Sequence, residues 1–81
     1  RRIDEALLMM LMDRGPSRSV CPSEVARRVD PHDWRTLLEP TRRAARRLVA
    51  RGRAVITQQG RIVDPDRARG VIRIQLATNH R

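Results

Sequence analysis

The chain has 81 residues, enough for one small domain that buries roughly 60% of its unfolded surface, so a single modest core is expected and no enclosed cavity of substrate size. One Trp with neither Phe nor Tyr leaves Leu, Ile, Val, Met and Ala to fill that core and denies the chain the stacking platforms of single-strand binders. A net charge of +9, with all 18 basic residues arginine, points to nucleic acid, an acidic protein or an anionic surface as partner, although the lack of lysine fits a GC-rich codon bias better than a functional demand.

Ile3, Ala6, Leu7, Met10 and Leu11 recur at helical spacing and predict a first helix over residues 2–14, with Asp4 and Glu5 suited to its first turn. Leu8, Met9 and Met12 widen its apolar surface, which suits either burial on more than one side or an exposed contact face. Gly15-Pro16 breaks the helix, and Ser19-Val20-Cys21 reads as a short strand. Pro22-Ser23-Glu24 opens a second helix that turns Val25, Ala26 and Val29 inward and ends at Asp30-Pro31.

The stretch from Asp33 to Gly52 is the most basic of the chain. Asp33 is the expected N-cap, and a short turn from Trp34 to Leu38 should lead, through a kink or break at Glu39-Pro40, into a main helix from Thr41 to Arg51 stopped by Gly52. Trp34, Leu37, Leu38, Thr41, Ala45, Leu48 and Val49 share one side of a helical wheel, whereas Arg42, Arg43, Arg46 and Arg47 lie opposite. Ala54 to Gln58 and Arg61 to Val63 read as strands joined at Gln59-Gly60, and Asp64 suits the cap of a single helical turn that Gly70 ends. Val71 to Leu76 alternates, placing Ile72, Ile74 and Leu76 inward, and residues 77–81 are expected to fray.

Helix, short strand, two more helices and then a C-terminal hairpin or small antiparallel sheet define an α+β, mostly α fold of winged helix-turn-helix type, filling residues 1–81 as one domain. The ordered motifs Cys21-Pro22-Ser23-Glu24-Val25-Ala26-Arg27, Asp33-Trp34-Arg35, Thr41-Arg42-Arg43-Ala44-Ala45 and Gly70-Val71-Ile72-Arg73 resemble a bacterial family of small winged-helix domains of unknown function. That resemblance spans nearly the whole chain and implies a helix-turn-helix scaffold. It carries no activity over to any position.

In a winged helix the third helix enters the major groove, so Arg42, Arg43, Arg46 and Arg47 are candidates for guanine edges or phosphates, no more than two of them reaching bases. Arg35 is a candidate for the adjoining backbone, Ser23 for a phosphate at the second helix's N-terminus, and Arg61 for the wing, followed by Arg67 and Arg69. Glu39 is the one carboxylate spaced to pair with these helix arginines, at Arg42 or Arg43. Trp34 reads as a core or half-buried anchor, and Cys21 as a small buried residue more than a redox thiol.

Duplex DNA is therefore the expected partner. The rival is a non-catalytic protein-interaction or dimerisation module that uses the Leu8/Met9/Met12 surface, with RNA a weaker third because an A-form major groove would not admit the helix. A catalytic site, a cofactor and a metal site are not expected, since an activated nucleophile, a phosphate-cradling glycine loop and ligand-spaced His, Cys or carboxylates are all missing from the sequence. One cysteine and no apolar run of membrane-span length fit a reducing cytoplasm without membrane insertion, and a start without Met suggests a trimmed chain or an excised domain.

Overall fold

The computed structural model describes residues 2–78. Three helices, α1 (Arg2–Arg14), α2 (Pro22–Val29) and α3 (Leu38–Ala50), precede or interleave with four strands, β1 (Ser19–Val20), β2 (Ala54–Gln58), β3 (Arg61–Val63) and β4 (Arg73–Leu76). All pairings are antiparallel and the strand order is β1-β4-β2-β3, a winged-helix-like arrangement in which β2 and β3 form the wing. The short strand after α1 thus belongs to the same sheet as the C-terminal hairpin, pairing Ser19 with Gln75 and Val20 with Ile74.

The core lies where the helices meet the sheet. Leu7 and Leu11 of α1, Val25 of α2 and Ala44, Ala45 and Leu48 of α3 close on Val20, Ala54, Ile56, Ile72 and Ile74. Every member is aliphatic, so packing rests on short side chains that hold the helices close to the strands. Within β2 the alternation fails at Thr57, which is buried although it points away from Ile56, because the register sets Ile62 on one side of it and Arg73 on the other.

Three sequence-based boundaries shift. The discontinuity before α3 falls ahead of Leu38, where a 3-10 turn over Trp34–Leu37 passes directly into the α-helix. Pro40 is the third residue of α3 and neither kinks nor breaks it, since first-turn N–H groups have no intrahelical acceptor to lose. Thr41, fully buried, satisfies its hydroxyl by donating to the Leu37 carbonyl at 2.7 Å. β4 starts at Arg73, two residues later than the alternation suggests, which leaves Val71 outside the sheet. Ala77 does not fray: its N–H donates to the Arg53 carbonyl at 3.0 Å and extends the ladder past Leu76, whereas residues 79–81 lie outside the described residues.

Capping explains the remaining ends. Asp33 stands at the N-cap of the 3-10 turn without using its carboxylate as a cap. The Asp30 carboxylate instead accepts from the His32 and Asp33 N–H groups at 3.1 Å each. Gly52 ends α3 with φ +75°, its N–H on the Val49 carbonyl and that of Arg53 on the Leu48 carbonyl, both at 2.9 Å, the paired bonds of a Schellman stop. Gln59 and Gly60 both take positive φ, 52° and 80°, as a tight two-residue hairpin requires.

Candidate functional site

The α3 arginines do not form a free cationic face. Arg42 donates from Nη2 to the Gly70 carbonyl at 2.7 Å, toward the loop before β4. Arg47 leaves the helix on another side and pairs with Asp4 of α1 at 2.6 Å. Between them, Arg43 and Arg46 share Glu39, at 3.8 Å and 3.5 Å. The expectation that these four guanidinium groups project together, with Glu39 as their one counter-charge, is thereby corrected in part: Arg43 and Arg46 converge on Glu39, the Glu39–Arg43 pair as expected, whereas Arg42 turns to the Gly70 carbonyl and Arg47 to Asp4. Asp4 escaped detection because it lies 43 residues from Arg47 in sequence, and only the packing of α1 on α3 brings them together. Each exposed pair contributes about 0–1 kcal/mol, so its main effect is to orient a side chain.

Arg35 and Arg27 both stack on the Trp34 ring, with guanidinium carbons 4.5 Å and 4.2 Å from its centre. Trp34 is half-buried, as an anchor should be, though two arginines cover it and it stands on the 3-10 turn instead of on α3. Ser23 occupies the second position of α2, half-buried. Capping there falls to Glu24, whose Oε1 accepts from the Cys21 N–H at 2.8 Å. Glu24 also takes two bonds from Arg14, at 3.2 Å and 2.8 Å, and this guanidinium contact, opposed by partial burial, holds its pKa down at about 2. Cys21 is half-buried, not buried, and its Sγ lies 2.8 Å from Arg73 Nη1.

Arg61 and Arg69 are exposed on the wing side, and Arg67 approaches Asp64 at 3.8 Å. Backbone bonds to the Asp64 carbonyl close the first part of the loop before β4, and side chains hold its second part: Gln58 Nε2 donates to the Arg69 and Val71 carbonyls at 2.6 Å and 3.1 Å, beside the Arg42 bond to Gly70. Val71 is consequently presented 83% exposed, with Ile62 of β3 at 72%.

The other large apolar groups in solvent are on α1, where Met9 is 70% and Met12 61% exposed. They border an open groove of about 860 Å³ between α1 and the end of α2, whose lining includes Ala6, Met10 and Val29. Leu8 is not part of that groove. At 100° per residue it turns away from Met9, lies half-buried, and lines a smaller cleft with Leu48, Arg47 and Arg51 of the α3 side. The surface expected from Leu8, Met9 and Met12 is therefore carried by the two methionines.

A family model described as "Protein of unknown function (DUF3253)" matches residues 1–77. The chain belongs to the DUF3253 family. A search of curated proteins finds no match.

In this DUF3253 domain, no group of three His, Cys, Asp or Glu positioned to hold a metal ion occurs among the described residues, and no described helix is long and apolar enough to cross a membrane. Two features of the DUF3253 surface escaped sequence reasoning. Arg28, placed outside on α2 by its spacing, borders the α1 groove, and Val71, which alternation assigned to a strand, is an exposed loop residue. The neighbouring Gly70 was the available signal for Val71, since a turn there shortens the following strand.

Proposed function

We propose that this domain is a non-catalytic protein-interaction or dimerisation module whose docking face is the outer side of α1. The observation that carries the reading is the pair Met9 and Met12, both mostly in solvent and both beside an open apolar-floored groove. Methionine is unbranched and polarisable, so it moulds to a partner at low strain. Burying each of the two is worth about 1.5–3 kcal/mol, whereas association costs about 4–15 kcal/mol in lost freedom, so further contacts along the groove have to contribute.

A photo-crosslinking side chain at position 9 of the full-length protein, in its native cells, tests this. A discrete covalent adduct is expected, and Met12→Glu should remove it while leaving the melting temperature nearly unchanged, because exposed substitutions stay within about 0.5 kcal/mol. Failure to form any discrete adduct would reject the docking face.

A second reading, duplex DNA bound through Arg42, Arg43, Arg46 and Arg47 with Arg35, Ser23 and Arg61 at its edges, draws support from the net charge of +9. The intramolecular contacts of the α3 arginines weigh against it. Binding to random duplex is expected to be weak, with a shallow dependence on salt. A slope equivalent to about six or more phosphates, lost when the four α3 arginines become Ala, would instead put DNA first.

A further inference from the structure

Arg2, Ala6, Met9 and Asp13 follow one another at spacings of four, three and four, so they form a single line down the solvent side of α1. All four border the groove, together with Arg28 of α2. The line is basic at one end and acidic at the other, with a small and a large apolar residue between. Arg2 and Asp13 are about 16 Å apart along the axis, beyond the screening length at physiological salt, so neither neutralises the other within one copy.

Turned end for end, this line complements itself. We infer that the occupant of the α1 face is a second copy of this chain, its α1 antiparallel to the first and the two-fold axis passing at the level of Leu7 and Leu8. Met9 of each copy then seats over Ala6 of the other, and Arg2 of each meets Asp13 of the other. Two-fold symmetry supplies every contact twice. Arg2 already donates to the Val29 carbonyl at 3.1 Å, which fixes its guanidinium over the end of α2 while other N–H donors stay available.

Charge selects this occupant over others. The ionised groups bordering the groove are Arg2, Glu5, Asp13 and Arg28, which sum to zero on a chain of +9. A polyanion or an acidic protein gains nothing there, whereas two copies can meet at this face without bringing unbalanced positive charge together. A helix of 13 residues is about 20 Å long, which sets the contact at the small end of stable interfaces, so association is concentration-dependent.

This inference rests on α1 being the docking face. Sedimentation of the full-length protein over a concentration series is expected to show a monomer–dimer equilibrium. Arg2→Asp and Asp13→Arg should each weaken it at least about 10-fold, since either variant puts like charges together twice, with circular dichroism unchanged. An equimolar mixture of the two variants should dimerise again, because one copy then carries acid at both ends of the line and the other carries base. A mixture no stronger than the single variants would overturn the antiparallel register. A monomeric wild type that still yields the Met9 adduct with a different protein would overturn the choice of partner and keep the docking face. Monomer with no adduct would remove both.

Discussion

Leu7→Ala is expected to lower the unfolding free energy by about 2–5 kcal/mol, against a total of roughly 4–12 kcal/mol for a domain of this size. Leu7 has no exposed surface and stands among Leu11, Ala44, Ala45 and Leu48, residues too short to swing into the space its removal leaves. With no Phe or Tyr anywhere in the chain, no large ring is at hand to fill the gap. Met9→Ala, two residues along the same helix but 70% exposed, should cost no more than about 0.5 kcal/mol. Urea unfolding of both variants separates the buried side of α1 from its outer side in one comparison. Equal losses would mean that α1 is not seated as described.

The second large effect is expected at low pH and centres on Glu24. Its carboxylate joins three elements: Arg14 at the end of α1, the Cys21 N–H at the start of α2 and, through a further bond of Arg14 to the Ser19 carbonyl at 2.9 Å, strand β1. Folding holds its pKa at about 2 against an ordinary value of 4.5, chiefly through the Arg14 hydrogen bonds. A depressed folded pKa means that the stabilisation is complete above about pH 4.5 and is lost as pH falls toward 2. A shift of that size would be worth about 3 kcal/mol unscreened, and partial exposure of the pair reduces it to about 1–2 kcal/mol. Wild-type melting temperature should therefore drop across this window, and Glu24→Gln should flatten the drop while lowering stability at neutral pH. The Arg47 contact also lowers the Asp4 pKa, so some acid sensitivity remains in Glu24→Gln. An unchanged acid limb in Glu24→Gln would show that the Arg14 bridge contributes nothing to the folded state.

These two residues differ in how far the linear chain discloses them. Leu7 is legible at once, because burial of one side of α1 repeats at 100° per residue and the period survives whatever the helix packs on. The same holds for Val25, Ala45 and Leu48, for the Schellman stop at Gly52 and for the hairpin at Gln59-Gly60, all of which depend on neighbours within a few positions. Pro40 is the instructive failure among local features. A proline breaks a helix only when it falls past the first turn, and the short turn expected from Trp34 to Leu38 ends at Leu37, so that α3 starts early enough to hold Pro40 in its first turn.

The candidate site follows the same division. Composition establishes the positive charge, and periodicity establishes that four arginines occupy one sector of α3 and that Met9 and Met12 stand outside the core stripe of α1. Where a guanidinium ends is another matter, since its reach of several ångströms lets it find whichever acceptor the fold brings near. Asp4 for Arg47, the Gly70 carbonyl for Arg42 and the Trp34 ring for Arg27 are partners that only assembly supplies, two of them from more than 25 residues away. Alone, then, the order of amino acids determined the helices, the wing and the apolar interior, because those arise from backbone preference and short-range period. Tertiary packing decided which charges face solvent unaccompanied and which methionines remain uncovered, because both depend on distances between segments that are remote along the chain.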